Sequence, residues 1–164
     1  MKVVGLDLGG TKIAAGVFDG KRLLSKVVVP TPKEGGERVA EALAEAAERA
    51  EREAGVRGEA IGLGTPGPLD FRRGVIRFAP NIPGVQDFPI RRILEEATGR
   101  PVFLENDANA AALAEHHLGA ARGEESSLCL TASTGLGGGG VLGGRVLRGE
   151  RGQGGELGHL TLLP

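Results

Sequence analysis

Short apolar runs occupy Lys2–Leu8, Ile13–Phe18 and Arg22–Val29, separated by Gly9-Gly10-Thr11 and by Asp19-Gly20. Runs of this length between glycine turns predict three successive antiparallel strands, with Asp-Gly as a hairpin signal. From Glu37 to Ala54 the period changes, because Val39, Leu43, Ala47, Ala50 and Ala54 recur at spacings of three and four among Glu and Arg. That stripe predicts an amphipathic helix closed by Gly55. Ala60–Gly64 reads as a strand running into the turn Thr65-Pro66-Gly67-Pro68, followed by a loop through Pro80-Asn81. Pro89–Thr98 predicts a short helix with Gly99 at its end, and Pro101–Glu105 another strand. Asn106-Asp107 then opens a helix whose expected apolar face is Ala110, Leu113, Ala114, His117 and Leu118, with His116 and His117 at its end, facing the helix dipole. The order β-β-β-α-β-α-β-α specifies an α/β protein with helices packed over a mixed sheet.

After Gly119 the order begins again. Ser127–Ser133 predicts a strand, a glycine loop follows, and Gly140–Leu142 with Arg145–Leu147 predicts a tight hairpin. At an offset of 124 residues Leu6 meets Leu130, Gly16 meets Gly140, Val17 meets Val141, Gly20 meets Gly144 and Lys21 meets Arg145. Each copy reads strand, glycine turn, strand, glycine turn, strand, so an internal duplication is expected. Only the 16 residues Gly149–Pro164 follow the second copy, too few to bury both faces of its sheet. The expected organisation is one complete lobe over residues 1–118 and the truncated start of a second, larger lobe over 119–164.

Composition narrows the function classes. Twelve of the 29 glycines fall within residues 135–158, with no three-residue period and only 9 prolines, which excludes collagen and low-complexity disorder. Net charge is −1, with 20 basic and 21 acidic residues and no basic run, which argues against nucleic acid or an anionic membrane as partner. Cys129 is the single cysteine, so no internal disulfide forms, which fits a reducing compartment. No apolar stretch reaches the roughly 18 residues of a membrane span. Met1–Asp7 lacks the apolar core and cleavage site of a signal peptide, so the expected location is cytoplasmic.

Four segments carry candidate chemistry. In Asp7-Leu8-Gly9-Gly10-Thr11-Lys12 a strand ends in a carboxylate, and two glycines then let backbone N–H groups approach an anion. Such a turn can cradle a phosphate while the carboxylate addresses hydrated Mg²⁺, although D-x-G-G also makes ordinary hairpin turns. Thr131–Gly140 fits neither a Walker loop nor a Rossmann fingerprint and reads as a glycine hairpin turn, phosphate-facing or purely structural. Within Glu105-Asn106-Asp107-Ala108-Asn109, a carboxylate where a strand meets a helix suits an N-cap, and equally a base with an orienting amide. In Gly154-Gly155-Glu156-Leu157-Gly158-His159, Glu156 and His159 can address hydroxyls from one pocket, His159 can bind metal, or it can be structural.

Taken together in this order, these segments resemble the ROK family (repressors, open reading frames and sugar kinases), most closely its bacterial glucokinases. The resemblance covers the whole chain and rests on D-x-G-G-T-K at Asp7–Lys12, G-x-P-G at Gly64–Gly67, Pro80-Asn81, E-N-D-A-N at Glu105–Asn109, S-T-G-L-G-G-G at Ser133–Gly139 and G-E-x-G-H at Gly155–His159. It implies an actin-like ATPase, ribonuclease H-like fold and ATP-dependent phosphorylation of glucose or a related hexose at the 6-hydroxyl. By resemblance Asp107 is the general base. Gly67, Asn81, Asn106, Asp107, Glu156 and His159 contact the sugar, and Asp7 organises Mg²⁺. Gly9, Gly10, Thr11, Lys12, Thr134, Gly135 and Gly137 address the phosphates of ATP. A full-length member is expected to be a homo-oligomer.

The chain also departs from the family pattern. The residue matching His159 ligates a structural zinc in the family, completed by a C-x-C-G-x-x-G-C motif that this chain does not contain, and Cys129 cannot replace three thiolates. The expectation is therefore a glucokinase portion without zinc. The rival readings are a catalytically silent sugar-binding or assembly module and, less consistent with the retained kinase residues, a ROK repressor.

Overall fold

The computed structural model describes residues 1–132, 136–150 and 152–155. In chain order the elements are β1 (Lys2–Leu8), β2 (Lys12–Asp19), β3 (Arg22–Pro30), α1 (Gly36–Ala54), β4 (Ala60–Thr65), β5 (Leu69–Asp70), β6 (Val75–Phe78), β7 (Gln86–Phe88), α2 (Ile90–Thr98), β8 (Val102–Asn106), α3 (Asp107–Leu118), β9 (Ser127–Ala132), β10 (Leu136–Leu142) and β11 (Arg145–Val146). They fall into two compact units, Met1–Glu105 and Asn106–Pro164.

In the first unit, β1 and β2 pair antiparallel, β2 and β3 likewise, and β1 lies parallel to β4. The sheet order is β3-β2-β1-β4-β8. Register sets the core: Val4 faces Val17 and Ile61, and Leu6 faces Ala15 and Leu63, so one face collects every second side chain. α1 covers the strands through Val39, Leu43, Ala46, Ala47 and Ala50, all buried. Fully burying a side chain such as Leu43 contributes roughly 1.5–3 kcal/mol. Gly55 ends the helix in the left-handed conformation at φ 68°. The same alternation puts Asp7 on the other face from Val4, Leu6 and Leu8, where it is exposed.

A buried ion pair fixes the far end of this unit. Arg100 reaches both carboxylate oxygens of Glu51 and donates to the Gly58 carbonyl at 2.8 Å, while Glu51 accepts from the Gly58 amide at 2.6 Å. The last turn of α1 is thereby tied to the approaches to β4 and β8.

The region expected as a loop through Pro80-Asn81 is a three-stranded antiparallel sheet, β5-β6-β7. Its strands are too short for a period to show in sequence. Side chains rather than a stripe hold it, with Arg77 bridging Asp70 at 2.9 Å and Asp87 at 3.2 Å. The Arg73 amide, reinforced by the Arg77 guanidinium, holds the Asp70 carboxyl below its ordinary range.

In the second unit β9, β10 and β11 form an antiparallel sheet in the order β11-β10-β9, the arrangement of β3-β2-β1. The equivalence slips by one residue from the expected alignment. Arg22 opens β3 and Arg145 opens β11, because β10 has 7 residues where β2 has 8. β10 also begins at Leu136, so Gly137–Gly139 are strand residues rather than loop, and Gly140 lies in the strand as expected.

The expected apolar face of α3 is wrong as well. Its buried residues are Asn109, Ala112 and His116, whereas Ala114, His117 and Leu118 are exposed. The reason lies in β10: a Cβ on Gly139 would stand 2.7 Å from the Ala108 carbonyl oxygen, 2.8 Å from Ala112 Cβ and 2.9 Å from Asn109 Cα. The helix rests on glycine backbone with its smallest residues. His116 extends the contact, its Nδ1 lying 2.9 Å from Ser127 Oγ on β9. Among the described residues no helix is long and apolar enough to cross a membrane.

Candidate functional site

The turn between β1 and β2 is held from outside. The Gly9 amide closes it on the Lys12 carbonyl at 2.9 Å, which is all a simple reversal needs. Yet the Thr31 hydroxyl also donates to the Gly9 carbonyl at 2.7 Å, the Lys33 ammonium to the Gly10 carbonyl at 2.5 Å and the Thr31 amide to the Thr11 carbonyl at 3.0 Å. The amides of Gly10 and Thr11 have no hydrogen-bond partner among the described residues. Two adjacent unpartnered N–H groups at a half-exposed turn are donors that an anion can take up. Thr11 and Lys12 are exposed at the same turn.

Gly67 and Asn81 come from the neighbouring loops of the same unit. Gly67 has φ 84°, and a Cβ there would collide with the Phe78 carbonyl oxygen, so the turn lies directly on the end of β6. Asn81 is exposed between buried Ala79 and Ile82, in a tight loop closed by Ile82 N–H to Ala79 at 3.0 Å and Ala79 N–H to Val85 at 3.2 Å. A Cβ on Gly10 would stand 2.9 Å from Asn81 Cβ. The fold thus brings the Gly9–Lys12 turn and Asn81 side by side, two segments about 70 residues apart in sequence.

The second unit holds Asn106, Asp107 and Gly137. Asn106 is the N-cap of α3, its side-chain oxygen accepting from the amides of Ala108 at 3.0 Å and Asn109 at 3.2 Å. Asp107 follows as the first helical residue, exposed, with Oδ1 2.8 Å from the Ala108 amide. Both residues therefore accept from the first amides of α3, Asn106 from Ala108 and Asn109 and Asp107 from Ala108 alone, and the exposed Asp107 carboxylate lies at the positive end of the helix. Gly137 lies within β10 opposite Thr131, and a Cβ there would meet Thr131 Oγ1 at 2.9 Å. Gly155 approaches α3 so closely that a Cβ would stand 2.6 Å from Asn109 Oδ1. Thr134, Gly135, Glu156 and His159 lie outside the described residues.

Thr31 and Lys33 do not belong to the residues selected from sequence. Neither sits in a recognisable motif, and the signal that could have found them is the Pro-Thr-Pro punctuation just past β3. For metals, Asp7 offers a hard oxygen donor beside the Gly10 and Thr11 amides, which suits Mg²⁺ shared with a phosphate. Among the described residues no three His, Cys, Asp or Glu side chains gather into a metal-binding group.

The ROK family profile matches residues 3–164. The glucokinase of Thermotoga maritima is 41% identical over 171 residues, covering 100% of this chain and 52% of that protein. The crystal structure of a ROK hexokinase from Thermus thermophilus is 96% identical and superposes with a TM-score of 0.94, covering 100% of this chain and 54% of that one. A ROK glucokinase from Streptomyces griseus, solved with glucose and AMPPNP, is 41% identical with a TM-score of 0.91, covering 100% of this chain and 52% of that one. The chain therefore spans about half the length of the curated relatives it matches. These likenesses show the fold to be the actin-like ATPase fold of the ROK sugar kinases.

Proposed function

We propose that this chain, which belongs to the ROK family, carries the phosphate turn and the base of a glucokinase that transfers the γ-phosphoryl group of ATP to the 6-hydroxyl of glucose. The observation that carries this reading is the division of labour at the start of α3. Asn106 caps the Ala108 and Asn109 amides, and the neighbouring exposed Asp107 spends only Oδ1, on the Ala108 amide, while its Oδ2 takes no hydrogen bond among the described residues.

In the reaction, Asp107 accepts the proton of the 6-hydroxyl as that oxygen bonds to the γ-phosphorus. The bond from the γ-phosphorus to the β,γ-bridging oxygen breaks, and ADP leaves with that electron pair. A positioned base of this kind contributes roughly 10²–10⁴-fold, positioning and charge neutralisation supplying the rest. The Gly10 and Thr11 amides would hold phosphate oxygens, with the Lys12 ammonium beside them. Asp7 would hold Mg²⁺, which when bound neutralises phosphate charge. Asn81, Asn106 and the Gly67 turn would orient the sugar, together with Glu156 and His159 by family resemblance; Thr134, Gly135 and Gly137 would complete the phosphate site. Glucose as acceptor is supported by the Thermotoga maritima relative and by the ligand of the Streptomyces griseus structure. The cytoplasm is the proposed location.

A coupled glucose-phosphorylation assay tests the reading. Asp107→Ala is expected to lower turnover by about 10²–10⁴-fold while glucose affinity stays within about tenfold. Retained turnover would remove Asp107 from its role as base. Glucose binding without any turnover in the unmodified chain would instead favour the silent sugar-binding module.

A further inference from the structure

We infer that Thr31 and Lys33 are the positioning residues that aim the amides of the Gly9–Thr11 turn at the donor phosphate. This inference rests on the proposed phosphate role of that turn. A trans peptide unit is planar, with its C=O and N–H pointing in opposite directions, so a partner that grips the carbonyl also aims the amide of the same unit. No described peptide bond is cis. The Thr31 hydroxyl on the Gly9 carbonyl therefore points the Gly10 amide away from β3, and the Lys33 ammonium on the Gly10 carbonyl does the same for the Thr11 amide. These are the two amides without a hydrogen-bond partner among the described residues. The Thr31 amide, on the Thr11 carbonyl at 3.0 Å, closes the third link.

Thr31 is 5% exposed, so its hydroxyl sits in a fixed place rather than sampling solvent. With every carbonyl of the turn gripped, an anion meets preset donors and the backbone need not reorganise on binding. Lys33 adds a cation next to the same amides. A merely structural Thr31 would hold the end of β3 and leave anion affinity alone, which gives the test its contrast.

The experiment uses the ¹⁵N-labelled 164-residue chain with inorganic tripolyphosphate and Mg²⁺ as probe, following the Gly10 and Thr11 amides. Loss of one aligned hydrogen bond predicts about fivefold to tenfold weaker binding for Thr31→Val, which keeps shape but lacks the hydroxyl. Thr31→Ser, which restores the donor, is expected to stay within about twofold of the parent. Lys33→Met is expected to weaken binding and to flatten its salt dependence. In the ligand-free chain, Thr31→Val should shift the Gly10 amide resonance while the β1–β2 ladder exchanges as before.

Equal affinity in Thr31→Val and the parent, with perturbation still at Gly10 and Thr11, would overturn the positioning role and leave the phosphate reading standing. No perturbation of these amides in the parent would overturn the phosphate reading and this inference with it. Should Thr31→Val not fold, Lys33→Met decides: an unchanged Thr11 resonance in the ligand-free chain overturns the inference, and a shifted Thr11 resonance together with weaker binding supports it.

Discussion

The meanders β1–β3 and β9–β11 share strand order and antiparallel pairing, yet each buries a face by a different physical device. In the first, Val4, Leu6, Leu8, Ile13 and Val17 project into a core that α1 meets with Leu43 and a row of alanines. In the second, Gly139 is buried against α3 while Leu128 and Leu130, on the other face, are 63% and 59% exposed. One sheet keeps its helix at a distance filled by side chains, and the other lets it touch the backbone. A repeat thus preserves pairing and topology while the packing that stabilises it changes completely. It also follows that shrinking a side chain is the damaging change in the first copy and enlarging one is the damaging change in the second.

The largest expected effect is the loss of a large side chain in the first unit. Leu43→Ala removes a fully buried residue facing the sheet and should cost about 2–5 kcal/mol, read as a lower thermal midpoint and faster amide exchange in β1 and β2. In the second unit the damaging change is an addition. Gly139→Ala must push back the Ala108 carbonyl, Ala112 Cβ and Asn109 Cα, and overpacking of this kind costs about 1–3 kcal/mol. Exchange should rise in β9 and β10 and stay unchanged in β1–β3. Adding Ala112→Gly should relieve only part of the loss, since two of the three clashing atoms are backbone. If Gly139→Ala is as stable as the parent, the contrast between the two copies fails.

Much of the first unit was legible because its elements are long enough to show a period. α1 begins one residue before the expected Glu37 and ends at the expected Ala54, and β1 is the expected Lys2–Leu8. β5, β6 and β7 leave no mark in the sequence because strands of 2–4 residues carry no alternation and depend on Arg77 bridging an aspartate on either side of it within the meander. The face of α3 was misread for a related reason. Hydrophobic periodicity assumes that large apolar residues point at the core, whereas a helix seated on glycine buries its small ones. At the candidate site, the motif residues were visible as types in a pattern. The Thr31 and Lys33 grip was not, because hydrogen bonds to a turn's carbonyls depend on where the end of β3 lies in space.

The smallest expected effect concerns the second turn of each copy, where the contrast becomes conformational. Gly20 has φ 58° and the next residue, Lys21, is not among the positive-φ positions, so the first hairpin asks for one left-handed residue. Gly143 at φ 55° and Gly144 at φ 72° give the second hairpin two, the pattern of a type I′ turn. A Cβ on any of the three glycines would meet nothing within 4 Å, so packing plays no part and only backbone strain is at issue. An alanine in the left-handed region costs about 1 kcal/mol. Gly20→Ala should therefore cost about one such increment and the double change Gly143→Ala with Gly144→Ala about two, with asparagine in place of alanine recovering most of each loss. Thermal unfolding of the variants, compared pairwise, measures this. Equal losses for the single and double alanine variants would show that the second turn is not held to its type I′ geometry, leaving the α3 contact with Gly139 to set the path of β10 without the turn's help.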